Sequence, residues 1–269
     1  MTSRCVGTCL LIIAFALMSV GVASAQSPVL ERIVESGKIR IGMSGDQAPL
    51  NAISRSGDFI GLEVDLANLI AEAMGVDVEF VQTPFPDLLP ALKASSVDIV
   101  MSGMSITPER SLEAVFVGPY MISGKSILAT SGALAEVRQA SDINRPDVTV
   151  AALGNSTSQA FAEKRLPEAK LVTVESYDRA IQMVIQGEVD ALVADMPACA
   201  LAVLRYPEED LETLSAPMTV EPIGIAVPAT EIPLQMLLDN YLSAFEDSGL
   251  LEMLRVQWLE RGGGLAQLP

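Results

Sequence analysis

Short apolar strands and amphipathic helices alternate along most of this sequence. The strand Lys38–Met43 is followed by the helix Leu62–Met74, in which apolar residues recur every three or four positions and Gly75 marks the end. The same order returns in the second half of the chain, from the strand Val148–Leu153 to the strand Val189–Ala194. Such alternation predicts a parallel α/β architecture.

Two stretches of the sequence echo each other. An amphipathic helix, a polar turn, the pair Val-Asp and a buried strand occur within Leu88–Met101 and again within Ala180–Val193, which favours two similar lobes. Ligands of open α/β sheets gather at the carboxyl ends of the strands, here Ser102–Ser105 and Asp195. A glycine tail, Gly262–Gly264, is expected to end the ordered chain. The remaining predicted elements are the strands Val76–Val81, Val97–Met101, Lys170–Val174 and Ile223–Val227 and the helices Pro86–Ala94, Ser156–Lys164, Tyr177–Gln186, Ile232–Glu246 and Leu250–Arg261.

The amino terminus has the pattern of a secretory signal. Arg4 precedes the apolar run Leu10–Val22, and Ala23–Ala25 supplies the small residues that a signal peptidase requires. The run is shorter than the ~20 residues needed to span a bilayer. We therefore expect residues 1–25 to be a cleaved signal peptide and the product to be periplasmic; an uncleaved anchor helix is the alternative.

The composition excludes several classes of function. The chain has no histidine, which removes Ser-His-Asp triads, histidine bases and imidazole metal ligands. Its 34 acidic residues outnumber its 17 basic residues, so the net charge of −17 would repel nucleic acid. Loss of the predicted signal removes two of the three cysteines and leaves Cys199, which excludes an intrachain disulfide and is interpreted as a small buried residue.

Three polar positions could carry chemistry, and each has a plainer interpretation. Arg110 offers a fork of donors that matches a carboxylate, but it could equally be solvated or paired with a neighbouring glutamate. Gly154–Thr157 opens a helix and could bind an anion or simply cap that helix; it lacks the glycines and lysine of a phosphate loop. Asp195 ends a buried strand and could meet a ligand or cap a helix that begins at Met196.

Five motifs occur in order along the chain: Gly61–Leu66, Met101–Arg110, Phe116–Tyr120, Gly154–Thr157 and Val189–Asp195. In their order and spacing the chain resembles the family 3 periplasmic solute-binding proteins, the polar amino-acid-binding components of ABC importers. The resemblance runs from about Leu30 to Leu259. It implies a two-lobed periplasmic-binding-protein fold of type II with parallel or mixed sheets. The first lobe would comprise residues 28–121 plus 223–269 and the second lobe residues 122–222. Two crossover segments near 122–124 and 220–222 would form the hinge.

The resemblance also assigns roles in ligand binding. Arg110 would clamp the α-carboxylate of a free amino acid, helped by Ser105 from the same lobe and by Thr157 across the cleft. Asp195 would accept the α-ammonium group, assisted by the carbonyl of Gly103. One fixed cation and one fixed anion suit a zwitterion. Ligand contacts to both lobes would favour hinge closure, and the closed form would dock on a membrane permease.

The expected side-chain pocket departs from the family pattern. Phe85 matches an aromatic wall, but Gln47 stands where the opposite aromatic is common. Ser44 replaces an acid that binders of cationic side chains often carry, so a neutral or polar amino acid is expected. We expect a monomer and neither a cofactor nor a metal.

An enzyme is the competing interpretation. Cyclohexadienyl (prephenate or arogenate) dehydratases resemble the same fold and share Gly45–Asp46 and Ser248–Leu251. Dehydration needs an acid for the leaving hydroxyl. The resemblance places that acid three residues beyond Asp195, where this chain has Ala198, although Lys125 remains as a possible cation. A sensor module of a receptor or a lytic enzyme is a third, less favoured interpretation.

Overall fold

The computed structural model describes residues 27–134, 137 and 139–268, so the predicted signal peptide and its cleavage site lie outside the described residues. None of the helices in that part of the chain is long and apolar enough to cross a membrane. The strands are β1 Lys38–Met43, β2 Asp46–Gln47, β3 Asn51–Ile53, β4 Phe59–Ile60, β5 Asp77–Gln82, β6 Ile99–Val100, β7 Ala114–Ser123, β8 Lys125–Thr130, β9 Thr149–Leu153, β10 Lys170–Val174, β11 Ala191–Asp195, β12 Leu211–Thr213 and β13 Glu221–Pro228. The helices are α1 Pro28–Ser36, α2 Leu62–Met74, α3 Leu88–Lys93, α4 Ser131–Leu134, α5 Thr157–Arg165, α6 Tyr177–Ile185, α7 Met196–Arg205, α8 Ile232–Asp247 and α9 Leu250–Arg255.

The strands form two five-stranded sheets and one small three-stranded sheet. The first sheet has the order β5-β1-β6-β13-β7, and the second has the order β10-β9-β11-β8-β12. Each combines a parallel trio with antiparallel partners, because β13 runs against β6 and β7 while β8 runs against β11 and β12. The small sheet, β2-β3-β4, is antiparallel. The predicted α/β class with mixed sheets is confirmed.

Helix α2 shows how the sequence pattern produces the packing. Leu66, Ala67 and Ile70 lie on one face and are completely buried in a core that also contains β1, β13 and α8. Burying a leucine or isoleucine side chain contributes about 1.5–3 kcal/mol. The helix ends at Gly75, whose left-handed backbone (φ 69°) leaves the helical path. The core beside the first sheet therefore buries the same face of α2 that the sequence pattern predicts to be apolar.

The chain passes from the first sheet to the second between β7 and β8. A single residue, Gly124, separates the two strands, and a Cβ atom there would overlap the carbonyl oxygen of Thr219. Residues 214–220 bring the chain back to the first sheet at β13. The lobe boundaries and hinge segments remain a prediction, but both passages place polar residues at the junction of the two sheets.

The prediction that the ordered chain ends at Gly262–Gly264 is wrong. A short 3₁₀ turn, Leu265–Gln267, follows these glycines, and Leu268 is 4% exposed. Leu268 packs with Ala52 of β3 and Leu201 of α7. Burial of its apolar side chain gives the tail a reason to fold back that the glycine pattern does not reveal.

Candidate functional site

A buried lysine joins two carboxylates where the sheets meet. Lys125 begins β8 and lies opposite Asp195 at the end of β11. Its Nζ is 2.7 Å from Asp195 Oδ1 and 3.1 Å from Oε2 of Glu221, the first residue of β13. The Lys125 side chain is 1% exposed, so solvent screens these ion pairs little. Three strands thus contribute one cation and two anions to one buried cluster, in which the two carboxylates share Lys125.

Glu221 also connects the two halves of the molecule. Its Oε2 accepts hydrogen bonds of 2.8 Å from both Ser105 Oγ and Thr157 Oγ1, and its Oε1 accepts one of 3.0 Å from Thr219. Ser105 pairs with the first sheet, whereas Thr157 begins α5, which packs on the second. Burial acts to raise the pKa of Glu221, but the charge of Lys125 and these hydrogen bonds outweigh it and lower the pKa. Glu221 is therefore ionised at neutral pH.

Arg110 lies in a 3₁₀ turn beside this cluster. Its Nη1 donates to the Ser105 carbonyl at 3.0 Å and its Nη2 donates to the Asn155 carbonyl at 3.3 Å. The guanidinium carbon is 5.5 Å from the centre of the Phe85 ring, and both residues line a cavity of about 340 Å³. Among the described residues no carboxylate lies within ion-pair distance of Arg110.

The electrostatic setting of Arg110 follows from that placement. Burial lowers the pKa of the Arg110 guanidinium, and the charges of Asp195 and Glu221 oppose this shift. The group stays charged because the ordinary arginine pKa lies far above neutrality. Its contacts join the Ser105 loop to the start of α5, and its charge can attract an anion.

The Asp195 carboxylate belongs to the cluster with Lys125 and does not cap the following helix. Although it precedes α7, its carboxylate makes no capping hydrogen bond to that helix. Besides Lys125, the carboxylate accepts long hydrogen bonds from Ser123 Oγ at 3.5 Å and from Tyr177 Oη at 3.4 Å. Asp195 thus presents its charge to the junction between the sheets.

The loop that follows β6 is held by a second buried carboxylate. Glu63 of α2 is 0% exposed and accepts hydrogen bonds from Gly103 N at 2.7 Å, from Asn51 Nδ2 at 2.6 Å and from the Tyr120 hydroxyl. Gly103 has a positive φ of 56°, and a Cβ there would come within 2.5 Å of the Gln47 amide. Glu63 therefore fixes the path of the loop that carries Ser105.

Two buried acceptors near this loop have no hydrogen-bond partner among the described residues, namely Gln47 Oε1 and Asp46 Oδ1. The other carboxylate oxygen of Asp46 accepts a hydrogen bond from Tyr177 N at 3.2 Å. Burial is the largest cause of the raised pKa of Asp46. Buried acceptors of this kind favour a polar ligand or bound water.

Ser44 lies within an internal network. Its hydroxyl is 3.2 Å from Asn51 Oδ1 and 3.1 Å from the Ser102 hydroxyl, which donates to it.

The structure brings the predicted residues Arg110, Ser105 and Thr157 together, with Asp195 joined to them through Lys125 and Glu221. Phe85 lies against Arg110 and Gln47 lies against Gly103. The assignment of all eight as ligand-binding residues remains a prediction; Glu221 and Glu63 were not predicted as site residues.

Cys199 matches its interpretation as a small buried residue. It lies in α7 with 1% of its surface exposed. Burial, followed by the charge of Asp195, raises the pKa of the thiol to about 12. The thiol is therefore protonated and unreactive at neutral pH.

Glu63 gives a testable pH dependence of stability. Burial raises its pKa above that of an unfolded glutamate, and the three hydrogen bonds only partly oppose this. The stability associated with protonated Glu63 is complete below about pH 4.3 and is lost as the pH rises through its folded pKa. We expect the free energy of unfolding of wild type, relative to Glu63→Gln, to fall over that interval, as measured by urea unfolding.

The matched control for this test is Glu72→Gln, which changes an exposed glutamate of the same helix. Its free energy of unfolding should follow that of the wild type at every pH. The amide of Glu63→Gln places a donor among three donors, so this variant also carries a cost that is independent of pH. A constant difference between Glu63→Gln and wild type from pH 4 to 8 would contradict the prediction.

Most of this chain is similar in sequence to known proteins. The family model described as bacterial extracellular solute-binding proteins, family 3, matches residues 39–261. A cyclohexadienyl dehydratase of Pseudomonas aeruginosa is 30% identical over 249 residues, 91% of each chain. The ABC transporter arginine-binding protein 1 of Escherichia coli K12 is 27% identical over 82% of this chain and 90% of that protein. Histidine- and glutamine-binding proteins are also among the similar proteins.

A solved structure extends the similarity to three dimensions. The structure of an ancestral amino acid-binding protein, described as a precursor of cyclohexadienyl dehydratase, superposes with a TM-score of 0.80 at 35% identity. The match covers 86% of this chain and 99% of that chain. The similar structures are two-lobed periplasmic binding proteins, in agreement with the two sheets described above.

Proposed function

Because the chain belongs to the bacterial extracellular solute-binding proteins of family 3, we propose that it captures a free amino acid between its two lobes and delivers it to an ABC transporter permease. The observation that carries this proposal is that Arg110, which has no carboxylate partner among the described residues, lies close enough to Asp195 for the charge of that carboxylate to act on it. A guanidinium can bind the carboxylate of a zwitterion, and a carboxylate can bind its ammonium group. We also propose that the protein is exported through residues 1–25 and acts as a periplasmic monomer.

Closure of the two lobes around the ligand would produce the signal that the permease reads. Contacts between the lobes already include Ser105 with Thr157, at 3.3 Å, and Arg110 with Asn155. Moving a population from mostly open to mostly closed takes roughly 5.5 kcal/mol of differential affinity. Each hydrogen bond to a charged group contributes about 1.5–3 kcal/mol, so two to four ligand contacts across the cleft would suffice.

The proposed ligand class is a neutral or polar amino acid. Ser44, where an acid would favour a cationic side chain, has its hydroxyl engaged by its neighbours, and Gln47 offers a free amide oxygen. An amide or hydroxyl on the ligand could satisfy that oxygen. The Escherichia coli relative is named for arginine. Binding of arginine in preference to neutral and polar amino acids would therefore overturn this ligand class.

The dehydratase alternative is favoured by the Pseudomonas aeruginosa relative and by the presence of Asp46 and Lys125 near the cleft. Residue 198, in α7, is alanine and cannot donate a proton to a leaving hydroxyl. Lys125 is already engaged by Asp195 and Glu221. We therefore propose a binding protein without dehydratase activity.

One set of experiments tests both functions. Isothermal titration calorimetry of the purified protein with each of the twenty L-amino acids should show saturable binding of at least one neutral or polar amino acid. Incubation with prephenate should yield no phenylpyruvate above a heat-denatured sample. Absence of binding throughout the panel would contradict the proposed function, and turnover of prephenate would establish the alternative.

A further inference from the structure

An internal ammonium–carboxylate pair occupies the groups that the proposed function assigns to the ligand. Lys125 Nζ donates a hydrogen bond of 2.7 Å to Oδ1 of Asp195, the proposed partner of the ligand ammonium. Glu221 Oε2 lies 2.8 Å from the hydroxyls of Ser105 and Thr157, the proposed partners of the ligand carboxylate. Lys125 and Glu221 also form an ion pair, with 3.1 Å between Nζ and Oε2. The protein's own side chains thus reproduce both charged ends of an amino acid.

The hydroxyl groups cannot serve two carboxylates at once. A serine or threonine hydroxyl has one hydrogen to donate, and both Ser105 and Thr157 donate theirs to the same oxygen of Glu221. A ligand carboxylate at these hydroxyls would also meet the negative charge of Glu221, which its lowered pKa keeps ionised. Binding in the proposed mode therefore requires Glu221 to move away.

The surroundings of Glu221 allow such a displacement. Lys125 retains Asp195 when Glu221 leaves, so the buried ammonium group keeps a counterion. Glu221 is the first residue of β13 and its other oxygen is bonded to Thr219 in the preceding segment, so a side-chain rotation need not break the core of the strand. Arg110 remains available for the incoming carboxylate, since no carboxylate among the described residues is paired with it.

We infer that Glu221 is a specificity-determining residue that competes with the carboxylate of the ligand for Ser105 and Thr157. The inference rests on the proposed function. Glu221 lowers the affinity for every free amino acid, and it selects ligands whose remaining contacts are strong enough to displace it. Because its hydrogen bonds join Ser105 to Thr157, it also stabilises the closed arrangement before the ligand binds.

The test compares Glu221→Gln and Glu221→Ala with the wild type. The probes are the twenty L-amino acids, each tested singly as the free acid and as the α-carboxamide, by isothermal titration. For the tightest-binding free acid, both variants should bind at least about tenfold more tightly than the wild type. The α-carboxamide carries no negative charge to be repelled, so its affinity should change by less than about threefold.

Glu212→Gln is the matched control, because it removes the same charge from an exposed glutamate of β12. It should leave both affinities unchanged. Circular dichroism and thermal unfolding establish that each variant is folded, and the two substitutions at residue 221 provide two independent chances of a folded protein.

The outcomes separate this inference from the proposed function. Wild type that binds an amino acid, with unchanged or weaker binding in both Glu221 variants, would overturn the inference and leave the proposed function standing. Equal gains for the acid and the amide would also overturn it, because competition with a carboxylate would not explain them. Absence of binding by wild type and variants alike would overturn the proposed function and the inference together.

Discussion

Replacing Arg110 with alanine should weaken amino-acid binding by roughly a hundredfold or more while leaving the fold intact. The guanidinium is the cation beside the cavity that has no carboxylate partner among the described residues, and its own hydrogen bonds go to two backbone carbonyls. Loss of a charged group that binds a buried ligand carboxylate typically costs about 2–5 kcal/mol. Isothermal titration with the amino acid bound by the wild type measures the effect.

Two further variants make the result specific. Arg110→Lys keeps the charge but loses the planar fork, so it should retain an intermediate affinity. Arg179→Ala removes an arginine from an exposed ion pair with Glu188 and should leave the affinity unchanged. Wild-type affinity in a folded Arg110→Ala protein would refute the assignment of Arg110 to the ligand carboxylate.

The elements that could be predicted from the sequence are those with a sustained period. Strand Lys38–Met43 and helix Leu62–Met74 occur with the predicted bounds, because their apolar residues define one buried face and a glycine follows the helix. The small sheet β2-β3-β4 was not predicted, since strands of two or three residues show no period. The sequence indicates helix α7 only as an element that Asp195 could cap.

The residues of the candidate site also differ in whether a sequence pattern reveals them. Asp195 could be found because it ends a strand at the edge where α/β sheets bind ligands, and Arg110 because it closes the motif Met101–Arg110 on which the family resemblance depends. Glu63 lies three and four residues before Leu66 and Ala67, on the buried face of α2. A charged residue within an apolar face was the signal for its buried role.

Glu221 left no comparable signal. Its bonding partners Ser105, Thr157 and Lys125 lie 116, 64 and 96 residues earlier in the chain, and tertiary structure alone brings them together. The segment before it has neither a helical nor a strand period, so the sequence predicts a strand only from Ile223 onward. Contacts of this kind depend on how the chain passes between the sheets, which local patterns do not specify.

The buried lysine provides the second large expected effect, this time on stability. Lys125→Met should lower the free energy of unfolding at pH 7 by about 3–5 kcal/mol, as measured by urea denaturation. The methionine side chain fills a similar volume, so the loss comes chiefly from leaving the carboxylates of Asp195 and Glu221 buried without their shared cation. The deficit should shrink as the pH falls and Glu221 becomes protonated, because the charge of Lys125 lowers the pKa of Glu221 in the wild type and that stabilisation is lost at low pH.

The exposed ion pair of Lys93 and Glu113 supplies the matched control, because Lys93→Met removes a lysine from a solvated pair and should cost no more than about 1 kcal/mol. Adding Glu221→Gln to Lys125→Met should recover part of the lost stability, since it removes one of the two stranded charges. The double-mutant cycle then gives the coupling between Lys125 and Glu221 directly. A loss below about 1 kcal/mol in Lys125→Met, with no coupling to Glu221, would mean that water or rearrangement compensates the carboxylates and that the cluster is not a buried electrostatic unit.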